Sequence, residues 1–175
     1  MMLPDFNRQD ESCQRVLQNM LDLSRQIGRG LLEMQRDKDD RNASTQLMGL
    51  IETLHTLKGG VAYLDLVGIE LLAQRLEGNV RSLWELKAPF DPDCLARLTN
   101  IHEILEDLLF TYAQEGQVAV AGALARAQLL FTQLESKLGQ IAGIRIAAPK
   151  SVELDKTVLQ LVLRTELPQI LDNLE

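Results

Sequence analysis

Apolar residues recur every three or four positions in one stretch after another of this chain, and that spacing leaves little but helices for it to form. From about Ser12 to Met34, Val16, Leu17, Met20, Leu21, Leu23, Ile27, Leu31 and Leu32 keep the period of an amphipathic helix. Arg36 to Asn42 interrupts it with seven polar residues, which predicts a loop, and Ser44 or Asn42 is placed to cap the next helix. That second helix is expected from about Ala43 to Leu64, with Leu47, Leu50, Ile51, Leu54, Leu57, Val61 and Leu64 on its inner face. Asp65 and Gly68 mark a bend, after which Ile69, Leu72, Leu76, Val80, Leu83 and Trp84 outline a third. Pro89 ends that helix, and Asp91-Pro92 supplies an N-cap with proline at the first helical position. Leu95, Leu98, Ile101, Leu105, Leu108 and Tyr112 then make a fourth. Connections this short join antiparallel neighbours, so the expectation is an all-α, up-and-down four-helix bundle.

Glu115-Gly116-Gln117 is a short polar break, and Val118 to Leu138 reads as a fifth helix with Leu124, Ala127, Phe131, Leu134 and Leu138 on one side. Gly139 to Ser151 reads as a linker. From Val152 the pattern is helical again, interrupted by Pro168, and it stops at Glu175 inside an amphipathic stretch, as a fragment of a longer protein would. Residues 1–116 therefore form the expected bundle. Residues 117–175 form a C-terminal helical extension, packed on the bundle or leading to a further domain.

Composition narrows the function classes. A hydrophobic fraction of 46% in 175 residues argues for a packed core, and aromatics at 4% with abundant leucine favour helices over sheet. The net charge of -7 speaks against binding nucleic acid by phosphate neutralisation. No apolar run of about 18 residues is present to cross a bilayer, and Met1 to Asp5 lacks the start of a secretory signal. Cys13 and Cys94 have no CxxC partner, and with two histidines no metal site is suggested. A reducing, cytoplasmic setting is the default expectation.

One segment departs from plain core. Thr53-Leu54-His55-Thr56-Leu57-Lys58-Gly59-Gly60 sets a histidine, a lysine three residues later and two adjacent glycines inside a helical pattern. Each interior glycine costs roughly 1 kcal/mol relative to alanine, so a bare surface beside His55 serves something other than helix stability. At 100° per residue Lys58 and Gly59 lie one turn below His55, and Glu52 one turn above.

His55-Thr56-Leu57-Lys58-Gly59-Gly60, followed by Leu64 and by Leu76-Glu77, resembles the signature of histidine-containing phosphotransfer domains. It is most similar to the N-terminal phosphotransfer domain of chemotaxis-type histidine kinases, over roughly Ser12 to Ala113. The resemblance implies a four-helix bundle in which His55 accepts a phosphoryl group on a ring nitrogen. It implies no nucleotide site and no cofactor. The partners implied are a response-regulator receiver domain and a histidine kinase catalytic domain, the latter on the same polypeptide or a separate one. Glu77 matches the glutamate that holds the ring's inward N–H, and Lys58 matches the lysine whose ammonium lies near the phosphoryl oxygens. Gly59 and Gly60 match small residues that leave room for a receiver's loops. Docking is expected over Gly59, Gly60, Glu52 and Gln74. Gln74 stands where related domains often have a second histidine, which implies altered tuning with retained transfer. Asp65 stands where the family has glycine, and Gly68 is the candidate for restoring flexibility to that turn.

Imidazole suits such chemistry, because the neutral ring ordinarily present near pH 7 has a free lone pair and needs no strong base. Elsewhere the expectations are plain. His102 reads as a boundary residue, Tyr63, Trp84 and Phe131 as core, and Glu103, Glu106 and Glu115 as a solvated face. Ser12, Ser24 and Ser82 lack a nucleophile-elbow context, and kinase and P-loop nucleotide motifs are missing, so the chain is not expected to be an enzyme by itself. The alternatives are a helical docking or scaffold module that is not phosphorylated, kept open by Asp65, Gln74 and the extra helices, and a dimerisation segment of a larger kinase.

Overall fold

The computed structural model describes residues 11–37, 42–87 and 91–143. Five helices and no strands are present among them: α1 (Glu11–Arg36), α2 (Ala43–Tyr63), α3 (Val67–Leu86), α4 (Pro92–Glu115) and α5 (Ala121–Ile141). The first four form a ring in which each helix packs on the next and α4 returns to α1, while α5 lies across α3 and α4. The expected all-α bundle with an added C-terminal helix is what the chain forms. Pro89, and the linker and helical pattern assigned to residues 144–175 with Pro168, lie outside the described residues.

The leucine stripes become the core. On α2, Leu47, Leu50, Ile51, Leu54, Leu57 and Val61 are all buried, as is Leu64 at its C-cap, and on α5 so are Leu124, Ala127, Phe131, Leu134 and Leu138. Leu54 and Leu57 are fully buried, and burial of each stabilises the fold by about 1.5–3 kcal/mol. These two residues bracket His55 in sequence, so anchoring them inward turns the imidazole outward.

The turn between α2 and α3 answers the question raised by Asp65. Leu66 N–H donates to the Val61 carbonyl and Asp65 N–H to that of Ala62, each at 3.0 Å, closing the helix in a Schellman pattern. Asp65 takes the left-handed position, φ 57°, where glycine is usual and aspartate is tolerated. Gly68 does not supply flexibility there. It is buried in the first turn of α3, and a Cβ on it would sit 2.9–3.0 Å from Val120, so its role is close packing of the α4–α5 connection.

Other local expectations shift. Asn42 is the N-cap residue of α2 but makes no side-chain capping bond, and the Ser44 hydroxyl accepts from Trp84 Nε1–H at 3.1 Å. Asp91 caps α4 as expected, accepting from Asp93 N–H at 2.8 Å with Pro92 in the first turn. Gly116 ends α4 at φ 77°. α5 starts later than Val118, because Val118 and Val120 are spent packing against the core. It also runs through Gly139, where a linker was expected. Phe131 is core and Trp84 half-buried, but Tyr63 is 56% exposed, since it falls on the outward stripe of α2 that Val61 faces away from.

α5 is fixed by more than its apolar face. Arg75 on α3 makes a two-pronged pair with Glu135, at 2.8 and 2.9 Å, also donates to Gln128, and lies 4.5 Å from the centre of the Phe131 ring. Lys137 reaches Asp91 at 3.0 Å and Asp93 at 3.1 Å at the start of α4.

Candidate functional site around His55

Helices α2 and α3, joined by the Asp65 turn, set His55 against Glu77. The imidazole side chain is 69% exposed, whereas that of Glu77 is only 8% exposed. Nδ1 of His55 lies 3.4 Å from Glu77 Oε1. Lys58 Nζ donates to Oε2 at 2.7 Å, and Arg81 Nη2 to Oε1 at 3.0 Å. Burial works to raise the Glu77 pKa, but the hydrogen bonds from Lys58 and Arg81, with the Lys58 charge and the His55 bond, outweigh it and hold the carboxyl below its ordinary value. Glu77 is therefore ionised near neutral pH. An ionised carboxylate only accepts, so Nδ1 is the donor and carries the ring proton, which leaves the Nε2 lone pair facing outward. The site presents an oriented, accessible nitrogen nucleophile with two cations close by.

The residues singled out in the sequence separate into two groups. His55, Lys58 and Glu77 meet in one cluster. Lys58, expected beside an incoming phosphoryl group, is half-buried in the unphosphorylated site and paired with the Glu77 carboxylate. Gly59 is exposed, and beyond its own stretch of helix backbone no atom lies within 4 Å of where a Cβ would stand, as an open surface requires. Gly60 is half-buried and faces α1. A Cβ on it would meet Sδ and Cε of Met20, so it serves the packing of α2 on α1. The two glycines differ because consecutive helical positions point 100° apart. Glu52 is exposed one turn before His55, and its carbonyl accepts the Thr56 hydroxyl at 3.0 Å. Gln74 is exposed on α3, lines a shallow groove with Gly78 and Glu135, and makes no hydrogen bond to His55 or Glu77.

Two features escaped the sequence. Arg81 joins the Glu77 cluster, and its position one turn after an acidic residue was the available signal. His102 is buried rather than at the boundary, with Nε2–H donating to the Ser24 carbonyl at 2.8 Å and close to its hydroxyl at 3.1 Å. Its ring lies against Gly28, where a Cβ would come within 2.9 Å of Cε1. Burial pushes its pKa below the ordinary value, against the opposing pull of Glu106, the Ser24 bond and Glu103.

Among the described residues, no cluster of three or more histidine, cysteine or acidic side chains could hold a metal ion, and no helix is long and apolar enough to cross a membrane. No curated protein and no solved structure matches the chain. The family model of the Hpt domain matches residues 11–109, which run from the start of α1 to near the end of α4 and leave α5 outside. With more than half of its length matched, this chain belongs to the Hpt domain family, the phosphocarrier modules of phosphorelay signalling.

Proposed function

We propose that the chain carries phosphoryl groups in a chemotaxis-type phosphorelay, taking phosphate on His55 Nε2 and passing it to a response-regulator aspartate. The observation that carries this reading is an exposed imidazole whose inner nitrogen is bonded to a nearly buried, ionised carboxylate. In the loading step the Nε2 lone pair forms an N–P bond while the P–O bond to the donor breaks, and its electrons leave with the donor oxygen. Nδ1 keeps its proton, so the ring becomes cationic as the new bond forms, and Glu77 offsets that charge. Unloading reverses the step with a receiver carboxylate as the attacking oxygen. Little covalent work is asked of the protein, and positioning and electrostatics supply the rate.

The partners in this reading are a receiver domain and a histidine kinase catalytic domain, which bring Mg²⁺ and ATP, and the setting is the cytoplasm. The carrier unit is residues 1–116, and residues 117–175 are its extension, of which α5 braces α3 and α4. The exposed stripe of His55, Thr56, Gly59 and Tyr63 offers the docking face, flanked by Glu52 and by Gln74 on α3.

The test is incubation with a chemotaxis-type kinase and ATP, and with a panel of phosphorylated receivers, in parallel with His55→Gln. Intact mass is read at neutral pH and after brief acid treatment. The expected result is an acid-labile gain of one phosphate in the wild type alone. A folded wild-type protein that gains none from any donor would overturn the reading in favour of a docking module.

A further inference from the structure

Glu77 has one negative charge and two cations on it. Lys58 holds Oε2 at 2.7 Å, and Arg81 shares Oε1 with His55 Nδ1, at 3.0 and 3.4 Å. One cation would neutralise the carboxylate, so the second needs a reason. The two are attached differently. Lys58 comes from α2, three residues after His55 on a flexible four-carbon stem. Arg81 comes from the next turn of Glu77's own helix, at the i,i+4 spacing, so its hold does not depend on what happens on α2.

Loading Nε2 with phosphate brings up to two negative charges to a site one helical turn from Lys58. As Lys58 turns its charge toward them, its single bond to Glu77, whose side chain is only 8% exposed, lengthens or breaks. A buried polar atom left there without a partner costs about 1–3 kcal/mol, and an ionised oxygen more. A guanidinium has five N–H groups in a planar fork and can turn to cover both oxygens, which an ammonium on one oxygen cannot do.

We propose that Arg81 is a positioning residue for phosphoryl transfer: it keeps Glu77 ion-paired, and so frees Lys58 to leave the carboxylate for the phosphoryl oxygens on His55. The inference rests on His55 being the acceptor. Arg81 itself touches neither the phosphoryl group nor the donor, and its side chain is about half exposed, so its replacement leaves the core intact.

The experiment is a double-mutant cycle of Arg81→Ala and Glu77→Gln, with Arg81→Lys as the conservative variant, read as the initial rate of His55 labelling from one phosphorylated donor. Circular dichroism confirms that each variant is folded. Arg81→Ala is expected to slow labelling at least about tenfold, the lower bound for stranding a buried carboxylate oxygen, and Arg81→Lys to recover only part of it. In the Glu77→Gln background there is no charge to keep paired, so Arg81→Ala should cause no further slowing. Labelling of Arg81→Ala at the wild-type rate would overturn the inference. So would an equal slowing in both backgrounds, which would mean that Arg81 acts on the phosphoryl group or donor directly. A folded wild type that takes no label would instead overturn the acceptor role of His55, and this inference with it.

Discussion

Gly59 and Gly60 are neighbours in sequence and should respond differently to the same substitution. Replacing either with alanine inside α2 relieves a glycine penalty of about 1 kcal/mol. At Gly59 nothing lies within 4 Å of the new methyl, so that gain is the whole effect and Gly59→Ala should stabilise the protein by about 1 kcal/mol. At Gly60 the methyl would meet Sδ and Cε of Met20 and come within 3.0 Å of its Cγ, and Met20 is itself buried. Moving a packed side chain aside costs about 1–3 kcal/mol, which leaves Gly60→Ala between neutral and about 2 kcal/mol destabilising. The helix term is common to both, so the gap between the two variants measures the Met20 clash alone. Urea titrations would give the gap as a difference in midpoint at constant slope, and thermal melts as about 2–4 °C per kcal/mol for a domain of this size. Equal stability of the two variants, or Gly60→Ala as the more stable, would refute the assignment of Gly60 to the α1 contact.

Three further outcomes are expected from the same contacts. His102 is buried with its pKa lowered, so below the ordinary histidine value of about 6.5 the unfolded chain binds a proton that the folded one refuses. Stability should be level above that pH and fall as pH drops toward the lowered value, and His102→Gln should flatten the slope of urea-derived stability between about pH 7 and 5, a linkage of about one proton. Arg75→Ala removes the paired contact with Glu135 and the stacking on Phe131, and should cost about 1–3 kcal/mol. The loss should appear first as faster hydrogen exchange in α5, and unchanged exchange there would contradict the clamp. Gly59→Leu places a bulky side chain on open surface, so it should leave the melting temperature within a few degrees while blocking transfer to a receiver; transfer at the wild-type rate would remove Gly59 from the docking face.

The bundle was legible because each inward stripe is a local pattern. Leu47 through Leu64 follow the helical period whatever they pack against, and burial selected those positions. The motif gave the cluster of His55, Lys58 and Glu77, since the relation of α2 to α3 is set by a short turn. The features that escaped depend on contacts that sequence spacing does not encode. His102 is inside because the Ser24 carbonyl of α1, 78 positions away, accepts its N–H and because Gly28 leaves space for its ring. Gly60 looked like part of the bare surface because it follows Gly59, although the 100° between them turns it toward Met20. Lys58 was placed by its expected partner, and in the resting site a nearer carboxylate holds it. Tyr63 carries a core-type side chain on a solvent stripe: Val61 and Leu64 on either side of it face inward, which turns position 63 outward.

His55 should react through Nε2 because Glu77 holds the proton on Nδ1, and the choice of reacting nitrogen stands or falls with that pairing. Long-range proton–nitrogen NMR of the histidine side chains, before and after labelling, addresses both halves at once. A resting ring protonated on Nδ1 is expected, and after labelling a phosphorus coupling to Nε2 of His55 with Nδ1 still protonated. Coupling to Nδ1, a resting ring protonated on Nε2, or phosphorus on any residue other than His55 would contradict it.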